Sequence, residues 1–176
     1  ENLKVGDRVV YMNAGIGAYA SARNVPADKL VVLPSNISDE VAAAVFFKAM
    51  TAQYLVQKTY QVKAGDVVLV HAAAGGVGQI LAGWAKALGA FVVGTVGSKA
   101  KFAAAKEAGC DVVIDYSEPN WVEEVIKATG GKKANVVYDS VAKTTFLGSL
   151  ECAAPFGTVA LFGAASGPAP EIEPEI

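Results

Sequence analysis

After residue 66 the chain alternates short apolar runs with stretches of helical spacing. The runs at 67–71, 91–96, 112–115, 135–139 and 158–162 are rich in valine and read as strands. The stretches at 77–88, 99–108 and 121–129, and a weaker one at 144–153, read as helices. Gly89 and Gly109 follow two of these helices, where a left-handed residue commonly closes the last turn. Strands that alternate with helices through short loops predict a parallel sheet covered on both faces. The fold class is therefore α/β, a Rossmann-like doubly wound parallel sheet. Such a sheet usually has about six strands, and the pattern supplies five.

Residues 1–36 differ in texture. Turns at Gly6-Asp7 and Gly15-Ile-Gly17 separate strand-like runs at 8–11, 18–21 and 30–33, and Pro34 ends the last run. Ser38 is a candidate N-cap, and Asp39 and Glu40 suit the positive end of a helix dipole. Residues 42–50 and 51–58 then read as one or two helices, and 63–66 as a turn.

The first strand runs into Ala73-Ala-Gly75-Gly76-Val77-Gly78, and a helix leaves it. A dinucleotide-binding turn needs that order. Gly75 lets backbone approach a pyrophosphate, Gly78 lets the helix pack closely, and the helix N-terminus faces the anion. Ala73 stands where the first glycine of the pattern usually stands. Alone, the loop is a moderate signal, and a glycine turn before an ordinary helix is the lesser alternative.

The end of the second strand bears on the cofactor. In NAD-binding folds an acid about 20 residues past the loop holds the ribose hydroxyls. Here the chain reads Gly94-Thr-Val-Gly97-Ser98-Lys99-Ala-Lys101, with no acid. Donors and cations suit a 2′-phosphate, so NADP is favoured over NAD. Lysines at this place also make an ordinary solvated first turn. Tyr116, after the third strand, is a further candidate for the adenosine end.

Composition narrows the class. The chain has 176 residues, 18 glycines and a net charge of −2. No global basic field exists to hold nucleic acid, and no apolar run is long enough to span a bilayer. Cys110 and Cys152 lie far apart and fit a reduced, cytoplasmic setting better than a disulfide framework. The two chain ends read as interior sequence, so a piece of a longer protein is expected.

Several motifs carry a specific resemblance: Val70-His71-Ala-Ala-Ala-Gly-Gly-Val-Gly78, Trp84-Ala-Lys-Ala-Leu-Gly-Ala90, Gly94-Thr-Val-Gly97, and Gly130-Gly-Lys-Lys133 followed by Val136-Val-Tyr-Asp-Ser140. Together they resemble bacterial quinone oxidoreductases, the zeta-crystallin-like, zinc-independent branch of the medium-chain dehydrogenase/reductase family. The resemblance covers essentially the whole chain. It implies that 1–36 is the C-terminal part of a GroES-like catalytic domain. It also implies that 37–176 is an NADP-binding Rossmann domain lacking its last strand.

The resemblance also implies site residues. Ala74, Gly75, Gly76 and Val77 lie on the pyrophosphate. Gly97, Ser98, Lys101 and Tyr116 surround the 2′-phosphate and adenosine. Lys48, Thr51 and Tyr54, in one Lys-x-x-Thr-x-x-Tyr run, lie near the nicotinamide. Ser140, Phe162, Gly163 and Ala164 lie on the loops beside it. The implied reaction is hydride transfer from NADPH to a quinone by a homodimer. The implied alternative is a zinc-free alkenal or enoyl reductase, and a binding role, on RNA or as a crystallin, is a third. This chain by itself is expected to turn over little, since most of the catalytic domain is missing from it.

No metal site is legible. Residues 11–21 contain no cysteine, and the two cysteines and His71 lack ligand spacing. No acid–base pair or activated nucleophile emerges. His71, which ends the first strand, reads as a satisfied structural histidine with no evident acidic or nucleophilic partner.

Overall fold

A computed structural model describes residues 3–173 of the chain. The interior-like ends noted above, 1–2 and 174–176, lie outside the described residues. The chain divides into two compact units, Glu1–Met50 and Thr51–Ile176.

In the first unit, strand β1 (Val9–Tyr11) pairs antiparallel with β2 (Leu30–Val32). The strand-like run at 18–21 does not become a strand. Gly15 and Gly17 sit at φ +80° and +120° and turn the chain. Arg23 then holds the turn, donating to Ala14 O at 2.7 Å and lying over the Tyr11 ring. Helix α1 (Asp39–Tyr54) follows. Ser38 Oγ accepts the Val41 N–H at 3.2 Å, the expected cap. Arg8 pairs with Asp39 at 2.7 Å. Of the one or two helices foreseen over 42–58, one forms, and it runs into a π-helical turn at Leu55–Thr59.

The second unit is a five-stranded, all-parallel sheet. Its strands are β3 (Val67–Val70), β4 (Phe91–Val96), β5 (Val112–Asp115), β6 (Ala134–Asp139) and β7 (Ala153–Leu161). The order is β5-β4-β3-β6-β7. Successive strands step one way from β3, then the chain crosses back to β6 on the other side. The crevice at that reversal, outside the carboxyl ends of β3 and β6, is where such sheets bind ligands.

Side-chain alternation explains the two-faced cover. Val68, Val70, Val92, Val136 and Tyr138 point to one face, where Leu81, Ala82 and Ala85 of α2 (Gly76–Ala87) and Ala105 of α3 (Phe102–Glu107) pack. Val67, Leu69, Val93, Ile114 and Val137 point to the other. Trp121 and Val125 of α4 (Trp121–Ala128) and Cys152 of α5 (Phe146–Cys152) cover that face. Strand β7 starts earlier than its valine pattern suggests. Ala153 already pairs with Ala134, and a bulge precedes the Val136–Thr158 pair. Among the described residues, no helix is long and apolar enough to cross a membrane.

Candidate dinucleotide site

The loop from β3 to α2 is held on both sides of its base. His71 N–H donates to Tyr138 O at 3.0 Å, and Ala73 N–H donates to Thr95 O at 2.9 Å. Ala72 between them is left-handed at φ +51°, an uncommon conformation for a residue with a Cβ. Gly75 N–H then bonds back to Ala72 O at 2.8 Å, and Gly75 caps α2. The following N–H groups of the first turn have no acceptor within the helix. They lie at the positive end of the dipole.

Close packing dictates the glycines. A Cβ at Gly78 would overlap Ala72 O and lie 2.8 Å from Ala73 Cα. The first-glycine position can carry Ala73 because its neighbour on β4 is Gly94. A Cβ there would lie 2.8 Å from the Ala73 methyl.

A groove of about 240 Å³ opens beside this loop. Ala72, Ala74 and Gly75 form one wall, and Val96, Gly97 and Lys101 form the other. Tyr116 closes one end. A Cβ at Gly97 would stand 2.8 Å from the Tyr116 hydroxyl, so the absent side chain is what lets the ring lie there. Ala100, in a 3-10 turn over Lys99–Lys101, and Ala104 of α3 complete the lining. Among the described residues, no acid lines the groove. Asp115, next to Tyr116, is instead occupied by Ser117, which donates from Oγ at 2.6 Å and from N–H at 2.9 Å. These bonds hold its carboxyl below the usual range. Glu118 lies 3.9 Å from Lys99, and both side chains are exposed, so that pair contributes little. Lys101 is exposed and makes no ion pair among the described residues.

Five sequence-predicted residues, Ala74, Gly75, Gly97, Lys101 and Tyr116, therefore meet in one groove. Gly76, Val77 and Ser98 flank it without lining it. A second group gathers at the ends of β6 and β7. Phe162 N–H donates to Asp139 O at 2.9 Å, and a Cβ at Gly163 would lie 2.9 Å from Ser140 O. Ser140, Phe162 and Gly163 are thus adjacent, with exposed Ala164 next in the chain. Thr51, half-buried, and Tyr54, exposed, sit on the last turns of α1. Lys48 lies in the first unit, where its Nζ donates to Ala44 O at 2.8 Å. Ala72, Val96, Ala100 and Ala104 were missed. The four-residue spacing of Ala100 and Ala104 was their one legible signal.

His71 is satisfied, but by partners the sequence does not show. Its Nδ1 lies 2.7 Å from Thr95 Oγ1 and its Nε2 lies 2.9 Å from Ser149 Oγ. Ser149 bonds Asp139 Oδ2 at 2.8 Å, and Thr145 Oγ1 lies 2.9 Å from each Asp139 oxygen. Asp139 Oδ1 also accepts the N–H groups of Val141 and Ala142, at 2.8 and 3.0 Å. Burial pushes the imidazole down to about 4, against an opposing pull from Asp139.

Comparison with known proteins fits this architecture. Residues 76–175 match the zinc-binding dehydrogenase family. The chain is 54% identical to a quinone oxidoreductase of Salmonella typhimurium, over 96% of this chain and 51% of that protein. It is 46% identical to a 2-haloacrylate reductase of a Burkholderia species, over 96% and 51%. Among solved structures, that of the Escherichia coli quinone oxidoreductase complexed with NADPH superposes with a TM-score of 0.94. The two share 48% identity over 98% of this chain and 53% of that one. The chain spans about half the length of the curated relatives it matches. By fold, loop and sequence, the chain belongs to the zinc-binding dehydrogenase family, and quinone oxidoreductases are among its similar relatives.

Proposed function

We propose that this chain is the NADPH-binding part of a quinone oxidoreductase. The observation that carries the reading is the acid-free groove, with Lys101 and the Tyr116 hydroxyl opposite the glycine loop. A dianionic 2′-phosphate suits a cation and a donor and would be repelled by a carboxylate. The small residues Gly75, Gly97 and Ala100 leave room for it, so the groove fits the cofactor. The solved NADPH complex of the Escherichia coli relative supports the same choice.

In this reading the α2 N-terminus and Ala74–Val77 hold the pyrophosphate. Gly97, Ser98, Lys101 and Tyr116 hold the adenosine 2′-phosphate. Thr51 and Tyr54, together with Ser140, Phe162, Gly163 and Ala164, serve the nicotinamide end. NADPH supplies the hydride when bound. The chain's part is to orient it and to exclude water. Phe162 packs against the core on one side and is suited to shielding.

The family's description invokes zinc, and the described residues do not fit that metal. No group of three His, Cys, Asp or Glu side chains able to hold an ion forms among them. The resemblance to the zinc-independent branch, rather than this absence, carries the proposal that hydride transfer proceeds without zinc. Residues 1–36 are proposed to be the C-terminal part of a GroES-like catalytic domain, with the cofactor domain following. The whole protein is proposed to be a cytoplasmic homodimer, which light scattering checks.

The 46% identity to a 2-haloacrylate reductase favours a second reading, reduction of an activated alkene. Fold does not fix substrate. Initial rates of NADPH oxidation by the whole protein, with a simple quinone and with a 2-haloacrylate, separate the two. Faster quinone turnover supports the first reading, and turnover of the alkene alone overturns it.

A further inference from the structure

Below the glycine loop lies a buried row of polar side chains that cofactor binding does not use directly. Thr95, His71, Ser149 and Asp139 are all fully buried. Their hydrogens follow by elimination. A carboxylate only accepts. If the Ser149 proton faced Thr145 O, 3.0 Å away, two bare oxygens would meet at 2.8 Å across the Ser149–Asp139 contact. The Ser149 hydroxyl therefore donates to Asp139. Its oxygen accepts from His71 at 2.9 Å, which puts the imidazole hydrogen on Nε2. Nδ1 is then bare and accepts from Thr95 Oγ1 at 2.7 Å. The row runs one way, Thr95 to His71 to Ser149 to Asp139, with every member satisfied.

Its two ends reach different parts of the site. Thr95 immediately precedes Val96 and Gly97 of the groove wall, and its carbonyl holds the Ala73 N–H. Asp139 gathers the N–H groups of Val141 and Ala142 and so shapes the turn after β6. Ala142 there is left-handed at φ +71°, a strained conformation that needs such anchoring. Ser140, at the head of this turn, backs onto Gly163.

We propose that His71 is a positioning residue. It ties the end of β4 to the Ser140–Ala142 turn and so sets the spacing between the adenosine and nicotinamide ends of the site. The tie is a property of the buried row, while its effect on the cofactor rests on the NADPH reading above. An ordinary core histidine would fill space against Trp121, whose ring is edge-on at 5.3 Å, without transmitting anything.

The test uses the full chain as wild type, Thr95→Val, Thr95→Ser and Ser149→Ala. Thr95→Val cuts the row at the end remote from the turn. Amide hydrogen exchange at Val141 and Ala142 is expected to quicken about tenfold in Thr95→Val and to recover in Thr95→Ser. Quickening confined to the neighbours of Thr95, or spread evenly over the sheet, overturns the tie. Should Thr95→Val fail to fold, Ser149→Ala cuts the other end. The Ala73 amide must then quicken, and an unchanged rate there overturns the tie.

The second readout is binding of NADPH and of 2′,5′-ADP, which carries the adenosine end alone. In Thr95→Val, NADPH is expected to weaken about tenfold and 2′,5′-ADP by less than about twofold. Equal losses overturn the spacing role. If wild type binds neither ligand, the cofactor reading fails, and the exchange result still decides the tie.

Discussion

Replacing Gly97 by alanine separates cofactor binding from folding. The new Cβ would stand 2.8 Å from the Tyr116 hydroxyl, 3.1 Å from Cζ and 3.3 Å from Cε2. Ordinary contact needs about 3.5 Å, so the ring tip must retreat by roughly 0.7 Å. The crowded atoms are the far end of a side chain, not backbone. The folding cost should therefore be near the lower limit for overpacking, about 1 kcal/mol, or about 2–4 °C in Tm. Gly78→Ala is the contrast. Its Cβ would meet Ala72 O and Ala73 Cα, both backbone of the loop itself. That substitution should cost about 3 kcal/mol or more. Binding should reverse the order of interest. Gly97 and Tyr116 both line the groove, so any rearrangement between them alters the adenosine end. NADPH affinity of folded Gly97→Ala should fall about tenfold, or about 1.4 kcal/mol. Titration with NADPH fluorescence gives the affinity, and thermal melts give the stability. Adding Tyr116→Phe removes the nearest atom and should restore part of the stability but not the affinity, since the hydroxyl is itself a proposed donor to the 2′-phosphate. Unchanged NADPH binding by Gly97→Ala would refute the placement of the adenosine end in this groove.

Other outcomes follow from the same geometry. Lys101→Glu should weaken NADPH more than NADH in paired titrations, and equal losses would remove Lys101 from the 2′-phosphate. His71 is held near 4 in the fold against 6.5 when free. Between those values the unfolded chain binds the extra proton, so stability contributed by neutral His71 is intact above pH 6.5. It is lost progressively as pH falls toward 4. Urea melts of wild type and His71→Gln across pH 4–7 should show a shallower slope in the variant, and parallel slopes would contradict this. Burial pushes the Cys110 thiol up to about 11 and the Cys152 thiol up to about 12. Both should react with a thiol reagent slowly in the native chain and rapidly in denaturant; fast native labelling would contradict their burial.

Much of the second unit was legible because its strands are buried on both faces. Val67–Val70 and residues 112–114 are unbroken apolar runs, and the glycines after α2 and α3 mark the ends of those helices. The start of β7 was not legible. The strand pattern begins at 158, yet Ala153 already pairs with Ala134, and Phe156 between them is left-handed at φ +61°. The run at 18–21 has strand composition, but the carbonyls before it bond Arg23 rather than a neighbouring strand. Loop pattern and strand ends pointed to Gly75 and Lys101, and the resemblance added Gly97; all three line one groove. They could not reveal the partners of His71. Thr95 and Ser149 lie 24 and 78 residues away, and only the sheet order and the α5 crossover bring them together.

The central claim is that the groove between the glycine loop and the end of β4 holds a 2′-phosphate. Isothermal titration of the chain with NADPH and with NADH at fixed ionic strength tests it most directly. NADPH should bind at least about tenfold more tightly, and the difference should shrink as salt is raised. Equal affinity for the two, or tighter binding of NADH, would contradict it.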